Sequence, residues 1–499
     1  VIRRDVQEIF RDAVRCHQGG ELAEAQRLYR AALAAKPGFA PALHLLGVVT
    51  GQMGEPAAAV DLIRRAIAIH PTDADYHSNL ATFLIQIKQE DAAIESCRRA
   101  IALRPGLAEA HLNLGVSLVA QDKIPEATAA FAQTIQLKPD YAEAHSNLGA
   151  ALKDVGQLEP AAAALRRAIA LDPQFANAHW NLGLIHLLMG YFQEGWKGYE
   201  WRLKLQENAP LVRRFSQPRW NGQELEGRTI LLIAEQGFGD VIQFIRYAAL
   251  VARRGAKVLV WAQPPLRRLL HGVDGVAQIV CEGDALPTFD LQCPLLSLPG
   301  ILETTLANIP ADVPYVHPDP ASVARWSTRL AACDRRRRIG LAWAGGKNHK
   351  RDRIRSISPL LFSPLANVKD VRFFSLQKTD AGGPVDLLPK VAMTDWSAEL
   401  CDFAETAALI ANLDLVITVD TAVAHLAGAM GKPVWVLLPF ILDWRWMLDR
   451  GDSPWYPTMR LFRQRSRGDW SGVVERVATA LGEATDSNET HSWQHSSAA

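Results

Sequence analysis

Through the first two fifths of the chain, apolar residues recur three and four positions apart, the spacing of one helical face. Pro37, Pro71, Pro105, Pro139 and Pro173 punctuate this pattern every 34 residues. Each period reads as two helices, a first one in segments such as KPDYAEAHSNLG and a second one in segments such as PAAAVDLIRRAIAIH. A weaker copy covers residues 4–36, and GYFQEGWKGYEWRLK reads as the second helix of a last unit. About six helical hairpins are therefore expected over residues 1–205, stacked into a superhelix with a concave face because no single hairpin buries its apolar side alone. After Leu205 the helical period stops, and residues 206–227, with two prolines, read as a connector packed on the next domain. From Arg228 the pattern changes to short apolar runs separated by helical stretches. TILLIAE and AKVLVWAQ flank DVIQFIRYAALVARRG, and RIGLAWAG, VRFFSLQ, LDLVITVD and PVWVLLP follow. This alternation predicts two domains with parallel sheets, residues 228–330 and 335–482, with a polar, disordered tail over 483–499.

The 34-residue unit resembles the tetratricopeptide repeat. Gly47, Gly115, Gly149 and Gly183, with Ala59, Ala93, Ala127 and Ala161, stand where paired helices of that family touch. Small residues there allow axes to approach to about 8–10 Å. Asn79, Asn113, Asn147 and Asn181 share one repeat position on the first helix, which lines the inner groove in this family. An amide donates and accepts, so such a ladder can pair with the backbone of an extended peptide. The layout resembles that of O-linked N-acetylglucosamine transferases, where the resemblance implies acceptor binding by the ladder; Asn as an ordinary repeat residue stays open beside it. His77, His111, His145 and His179 recur in step on four separate helices. They cannot surround one metal at about 2.0–2.1 Å, and are expected to line the core in place of the usual aromatic residue.

Composition narrows the function classes. With 54 Lys+Arg against 53 Asp+Glu the formal charge is +1, which gives no global reason to expect nucleic acid or an anionic membrane. The six cysteines form no CxxC pair, no apolar leader is read in the opening residues, and no apolar run of about 18 residues spans a bilayer. A cytoplasmic protein with no membrane span is expected. Homo-oligomerisation stays open.

Two further tests concern the second half. A nicotinamide site calls for a third glycine after GFG and an acid ending the second strand, but Ile242 stands in place of the glycine and AKVLVWAQ ends without a carboxylate. A Gly-Lys-Ser/Thr phosphate loop is absent. The pair GFGD-then-helix and VDTAVAHLAGAMGKPVW is similar instead to the bacterial heptosyltransferase-like glycosyltransferases of family 9. YEWR, PRWNG, DWRW and SPWYP look like the linking segments of bacterial proteins that fuse repeats to such a domain. The resemblance implies a fold class of α plus α/β: a tetratricopeptide superhelix, then a GT-B pair of Rossmann-like domains, the first facing the acceptor and the second binding the nucleotide-sugar.

Particular residues follow from strand ends. LDLVITVD runs into Asp420-Thr421-Ala422, and a helix N-terminus there offers free amides to phosphate. The resemblance sets Asp420 near the donor sugar, the Thr421 and Ala422 amides on phosphate, and His425 in the same site. Ala422 stands where the family usually has Gly, and Asp420 as a plain helix cap stays open. Lys347, Arg353 and Arg355, in the basic loop after RIGLAWAG, are candidate partners of the leaving phosphate. The resemblance places Gln236, Gly237 and Gly239 on the acceptor side, in a turn across a cleft from the nucleotide. Asp240 matches the acid taken as catalytic base in the family. A helix start opening on Asp240 is expected to lower its pKa, and capping or acceptor orientation remain its other readings. Trp444, Arg445, Trp446, Trp455 and Tyr456 either stack on a base or sugar or pack the two domains together. The one Asp-x-Asp, Asp73-Ala74-Asp75, lies inside the repeats, so transfer is expected to need no metal and no cofactor besides the nucleotide-sugar substrate.

The expected function is an inverting transfer of a sugar to a protein Ser/Thr hydroxyl, with the repeat groove presenting the polypeptide; the resemblance to bacterial proteins of this layout implies flagellin as one candidate. A lipid-linked or polysaccharide acceptor, or a scaffold whose transferase half has lost activity, are the alternatives.

Overall fold

The structure, a computed structural model, describes residues 5–208, 214–334, 336–346, 352–378, 391, 393–441 and 443–486. The chain forms two compact units, residues 1–182 and 183–499.

The first unit is built from antiparallel helix pairs: α1 Val6–Gln18 with α2 Leu22–Ala35, α3 Ala40–Gln52 with α4 Pro56–Ile69, α5 Ala74–Gln86 with α6 Glu90–Leu103, α7 Ala108–Ala120 with α8 Ile124–Leu137, and α9 Ala142–Lys153 with α10 Leu158–Leu171. Close helix approach explains the small residues. A Cβ on Gly47 would lie 2.7 Å from Ile63, on Gly115 2.4 Å from the Phe131 ring and on Gly149 2.6 Å from Leu165. Ala59, Ala93, Ala127 and Ala161 are fully buried opposite them.

The recurrent histidines do something other than fill the core. Nε2–H of His77, His111, His145 and His179 donates to the carbonyl of Pro71, Pro105, Pro139 and Pro173 at 2.9, 2.9, 3.0 and 3.0 Å. Each imidazole is partly exposed and clips a helix to the turn six residues before it. The proline cannot donate, but its carbonyl still needs a donor at the turn, which accounts for the joint period.

The division between units falls within α11 Ala176–Leu188, not at residue 205. α12 Phe192–Tyr199 and the 3₁₀ turn Glu200–Lys204 pack into the second unit: Trp196 donates from Nε1 to the Thr304 carbonyl at 2.8 Å and meets Trp444 edge-on at 5.2 Å. Within the connector Trp220 is buried, and its amide bonds Gln292 O at 2.8 Å.

The second unit contains two all-parallel sheets. In the first, β1 Thr229–Ile233, β2 Lys257–Trp261, β3 Val276–Val280 and β4 Leu291–Pro294 lie in the order β3-β2-β1-β4. In the second, β5 Arg337–Ala342, β6 Val371–Ser375, β7 Met393–Asp395, β8 Leu415–Val419, β9 Val434–Leu438 and β10 Met459–Arg463 lie in the order β10-β9-β8-β5-β6-β7. β8 and β9 are buried along their whole length, as central strands covered on both faces must be. The expected helix over DVIQFIRYAALVARRG is broken into α13 Phe238–Phe244, a 3₁₀ turn Ile245–Tyr247 and α14 Ala248–Arg253. α15 Phe403–Ala411 and α16 Ala422–Ala429 flank β8 in sequence. α17 Trp470–Asp486 closes the described chain and extends past the expected boundary at residue 482; residues 487–499 of the expected disordered tail lie outside the described residues.

Strand order locates the ligand crevices. The first sheet reverses direction between β1 and β4, the second between β5 and β8. Ligands of open parallel sheets bind beyond the carboxyl ends of strands at such reversals. Glu235-Gln236-Gly237 follows β1, Gly345 follows β5, and Asp420-Thr421 follows β8.

Candidate active site

At the second sheet, Thr421 caps α16 with extended backbone (φ −141°, ψ 173°), and its Oγ1 accepts from the Val423 amide at 3.3 Å. The amides of Thr421 and Ala422 have no protein acceptor among the described residues. A phosphate oxygen would satisfy both, with the helix dipole favouring negative charge. Arg355 reaches the same point: its Nη1 donates to the Asp420 carbonyl at 3.0 Å. A Cβ on Gly345 would lie 2.2 Å from that guanidinium, so glycine clears the path for Arg355. Arg353 is exposed and is not brought to the site, and Lys347 lies outside the described residues. The Asp420 carboxyl is pushed up from 3.8 to about 6, by burial first and then by the charge of Asp443, with Trp446, Arg355 and Arg445 opposing.

His425 is buried beneath this cap. Its Nδ1 pairs with the Tyr456 hydroxyl at 3.0 Å, and its ring stacks on Trp446 with centroids 5.5 Å apart and planes 23° apart. Burial, then the Arg445 charge, press its pKa down to about 3, so the imidazole is neutral. It packs rather than titrates near neutral pH.

The acceptor-side loop differs from expectation in two respects. α13 opens on Phe238, with Asp240 three positions in; Asp240 Oδ2 accepts from the Gly237 amide at 2.9 Å. Its Oδ1 pairs with Arg445 Nη2. The capping reading of Asp240 is thus realised, with a second oxygen facing a guanidinium. Its pKa is raised rather than lowered, because removal from water outweighs Arg445 and the Gly237 amide. Gly239 also does not face α16 across an open cleft. A Cβ on it would lie 2.8 Å from His425 Cδ2 and 3.4 Å from Ala422 Cα, so the two domains touch here and glycine permits the contact.

Other groups hold this contact. Phe238 and Phe403 meet at 5.0 Å, and Arg268 pairs with Asp402 and Glu405 at 3.0 and 3.2 Å. Arg246 donates to the Trp455 carbonyl at 2.7 Å and to the Tyr315 hydroxyl at 2.8 Å. Trp444, Trp446, Trp455 and Tyr456 are all buried, which favours domain packing over a surface for a base or sugar. Sequence reasoning flagged Arg445 without its partner and missed Asp443, whose Oδ1 accepts from Arg445 Nη1 at 2.9 Å. Arg202 and Glu235 were missed although YEWR and TILLIAE, which contain them, were both read. Gln236 accepts at Oε1 from the Tyr199 hydroxyl at 3.4 Å and at its carbonyl from Gln263 at 2.7 Å.

In the first unit most of the amide ladder is engaged internally. Asn79 Nδ2 bonds His44 Nε2 at 2.8 Å, Asn113 donates to Thr82 Oγ1 at 2.9 Å, and Asn181 accepts from Lys153 at 2.9 Å while donating to Asn177 O. Asn147 makes no side-chain hydrogen bond among the described residues. The Asp73 and Asp75 carboxylates cap α5 and pair with Arg104, respectively. No three His, Cys, Asp or Glu side chains converge to hold a metal among the described residues. No helix among them is long and apolar enough to cross a membrane.

Comparison with known proteins agrees with the two-part layout. Tetratricopeptide repeat families match residues 17–82, 74–106, 117–156 and 151–190. Glycosyltransferase family 9 (heptosyltransferase) matches residues 386–437, which contain β8, the Asp420–Ala422 turn, α16 and most of β9. Protein FlbA of Caulobacter vibrioides is 30% identical over 329 residues, covering 60% of this chain and 53% of that protein. The chain thus spans about half the length of the curated relative it matches. Among solved structures, YrrB is 25% identical over 36% of this chain and 91% of its own (TM-score 0.31). A MamA structure is 24% identical over 34% and 93% (0.31), and PilW is 20% identical over 42% and 95% (0.37). The chain carries tetratricopeptide repeats and a glycosyltransferase family 9 domain.

Proposed function

We propose that this protein is a glycosyltransferase that moves a sugar from a nucleotide-sugar to a hydroxyl of a polypeptide. The observation that carries the reading is the meeting of two strand-order reversals: Asp240, after β1, and the Asp420–Ala422 turn, after β8, lie on helices α13 and α16 that touch through Gly239. The two free amides of Thr421 and Ala422, with Arg355 behind them, suit a diphosphate. As the bond from the sugar's anomeric carbon to phosphate oxygen breaks, these donors take up the charge on the leaving group. The acceptor oxygen bonds to the anomeric carbon from the opposite face, and its proton passes to Asp240. That is an inverting displacement in a GT-B arrangement. A raised pKa makes Asp240 a stronger base than an ordinary carboxylate, and its charge also steadies an oxocarbenium-like centre. No metal is assigned, because the one Asp-x-Asp is spent on a helix cap and an ion pair.

The engaged amide ladder favours a second reading for the acceptor. If those amides keep their present partners, the repeats dock a partner protein and the transferred sugar goes to a lipid-linked or polysaccharide acceptor.

Mass spectrometry of candidate proteins co-expressed with the wild type and with Asp240→Asn tests both. A sugar-sized mass added to a protein Ser or Thr by the wild type alone supports the first reading. Nucleotide release without any modified protein supports the second, and neither one rejects transferase activity.

A further inference from the structure

The loop that carries Asp240 is gripped at both ends by buried guanidinium groups from segments far apart in sequence. At its start, Arg202 Nε donates to Glu235 Oε1 at 3.0 Å, its Nη2 bonds the same carboxylate oxygen, and Nη2 also reaches Ser297 Oγ at 2.8 Å. At its end, Arg445 pairs with Asp240 Oδ1 while its Nε holds Gln243 of the same helix at 2.7 Å. Two rings stand between these cations. Arg202 lies over Tyr199 at 4.8 Å, Tyr199 meets Trp444 at 6.0 Å and 63°, and Arg445 lies over Trp444 at 4.4 Å. The Tyr199 hydroxyl also reaches Gln236, inside the loop. YEWR and DWRW therefore form one stack, Arg202–Tyr199–Trp444–Arg445, which closes around EQGFGD.

All four side chains are buried. Burying an ion pair costs desolvation that its attraction often fails to offset, and apolar residues of similar size commonly give equal stability. Stability alone is thus a weak reason for two guanidinia here. What they add is fixed placement, since the rigid plane of Arg202 converges two N–H groups on Glu235 Oε1 while that of Arg445 joins Asp240 to Gln243. We propose that Arg202 and Arg445 are paired positioning residues, which clamp residues 235–240 through the Tyr199–Trp444 stack and so aim the Asp240 carboxylate at the reaction centre. The end of α12 and the 3₁₀ turn after it thereby become a working part of the transferase. This rests on Asp240 being the base, and the experiment separates the two ideas.

In the full chain, Arg202→Gln, Arg202→Lys and Tyr199→Phe are compared with wild type by backbone hydrogen exchange over residues 235–244 and by nucleotide release from a nucleotide-sugar panel. Arg202→Gln should speed exchange in that segment about tenfold, with α17 unchanged. It should also lower kcat about 10²-fold, the scale of a 1 Å misplacement, while leaving the donor KM within about twofold. Tyr199→Phe, which keeps the ring and cannot empty the core, should shift exchange the same way by a smaller factor. Arg202→Lys should fail to restore either quantity, because an ammonium lacks the rigid plane that brings Nε and Nη2 together onto Glu235 Oε1. Unchanged exchange in both Arg202→Gln and Tyr199→Phe, full rescue by Lys, or a raised KM at unchanged kcat would each overturn the clamp. Absence of nucleotide release in the wild type would overturn the transferase reading instead, and exchange would still decide the clamp.

Discussion

Asp420→Asn should make the second unit more stable near neutral pH. The Asp420 carboxyl is raised from 3.8 to about 6 by burial and by Asp443. That is about 2 units, and at about 1.4 kcal/mol per unit the ionised group costs the fold about 3 kcal/mol. The sign follows from linkage. The folded pKa lies above the unfolded one, so the contribution of this group is fully present below pH 3.8 and is lost as pH rises through about 6. Asparagine keeps the shape and cannot ionise, so the variant lacks that loss. At about 2 °C per kcal/mol for a domain of this size, its Tm should exceed that of wild type by about 6 °C at pH 7.5, with the difference vanishing near pH 4. Tryptophan fluorescence reports the melt well, because Trp180 is the only one of 14 tryptophans outside residues 183–499. Equal Tm differences at pH 4.5 and 7.5, or a variant less stable than wild type at pH 7.5, would refute the placement of Asp420 in a buried, acid-rich site.

Gly239→Ala should lower Tm: overpacking against His425, which Tyr456 and Trp446 hold in place, costs about 1–3 kcal/mol and exceeds the roughly 0.5–1 kcal/mol an alanine adds to a helix. A raised Tm would show that the two domains do not touch there. Arg445→Met should destabilise by about 3–5 kcal/mol, because it strands Asp240 and Asp443 without their cation. Adding Asp240→Asn should recover part of that loss in a double-mutant cycle of melts, and strict additivity would count against the pair. His111→Ala should cost about 0.5–1.5 kcal/mol in chemical denaturation of the repeats, the worth of one hydrogen bond to Pro105, whereas a cost above about 3 kcal/mol would return the histidine to a core role.

The repeats were legible because the same burial recurs every 34 residues, so Gly47, Gly115 and Gly149 announce one contact three times. β8 and β9 were legible as unbroken apolar runs, which strands covered on both faces require. β3 exposes much of VAQIV and β4 is only LQCP, so neither carries a run long enough to stand out. The break at Ile245–Tyr247 was hidden because propensity favours one continuous helix, while Arg246 turns aside to reach carbonyls at Pro310 and Trp455. The site divides in the same way. Asp240 and Asp420 could be found because strand ends announce them. Arg445, 205 residues from Asp240, and Arg202, 33 from Glu235, depend on chain crossings that no local pattern encodes. The rise in the Asp240 pKa was missed for that reason also: a helix start is a sequence property, but burial is not.

Calorimetric titration of the full chain with UDP-, GDP-, ADP- and CMP-sugars tests most directly whether the turn at Asp420–Ala422 is a donor site. One of these should bind to the wild type at least about tenfold more tightly than to Ala422→Pro, which removes one of the two amides offered to phosphate at the first helical position, where proline fits. No heat with any nucleotide-sugar, or equal affinity in wild type and variant, would contradict a donor resting on the start of α16.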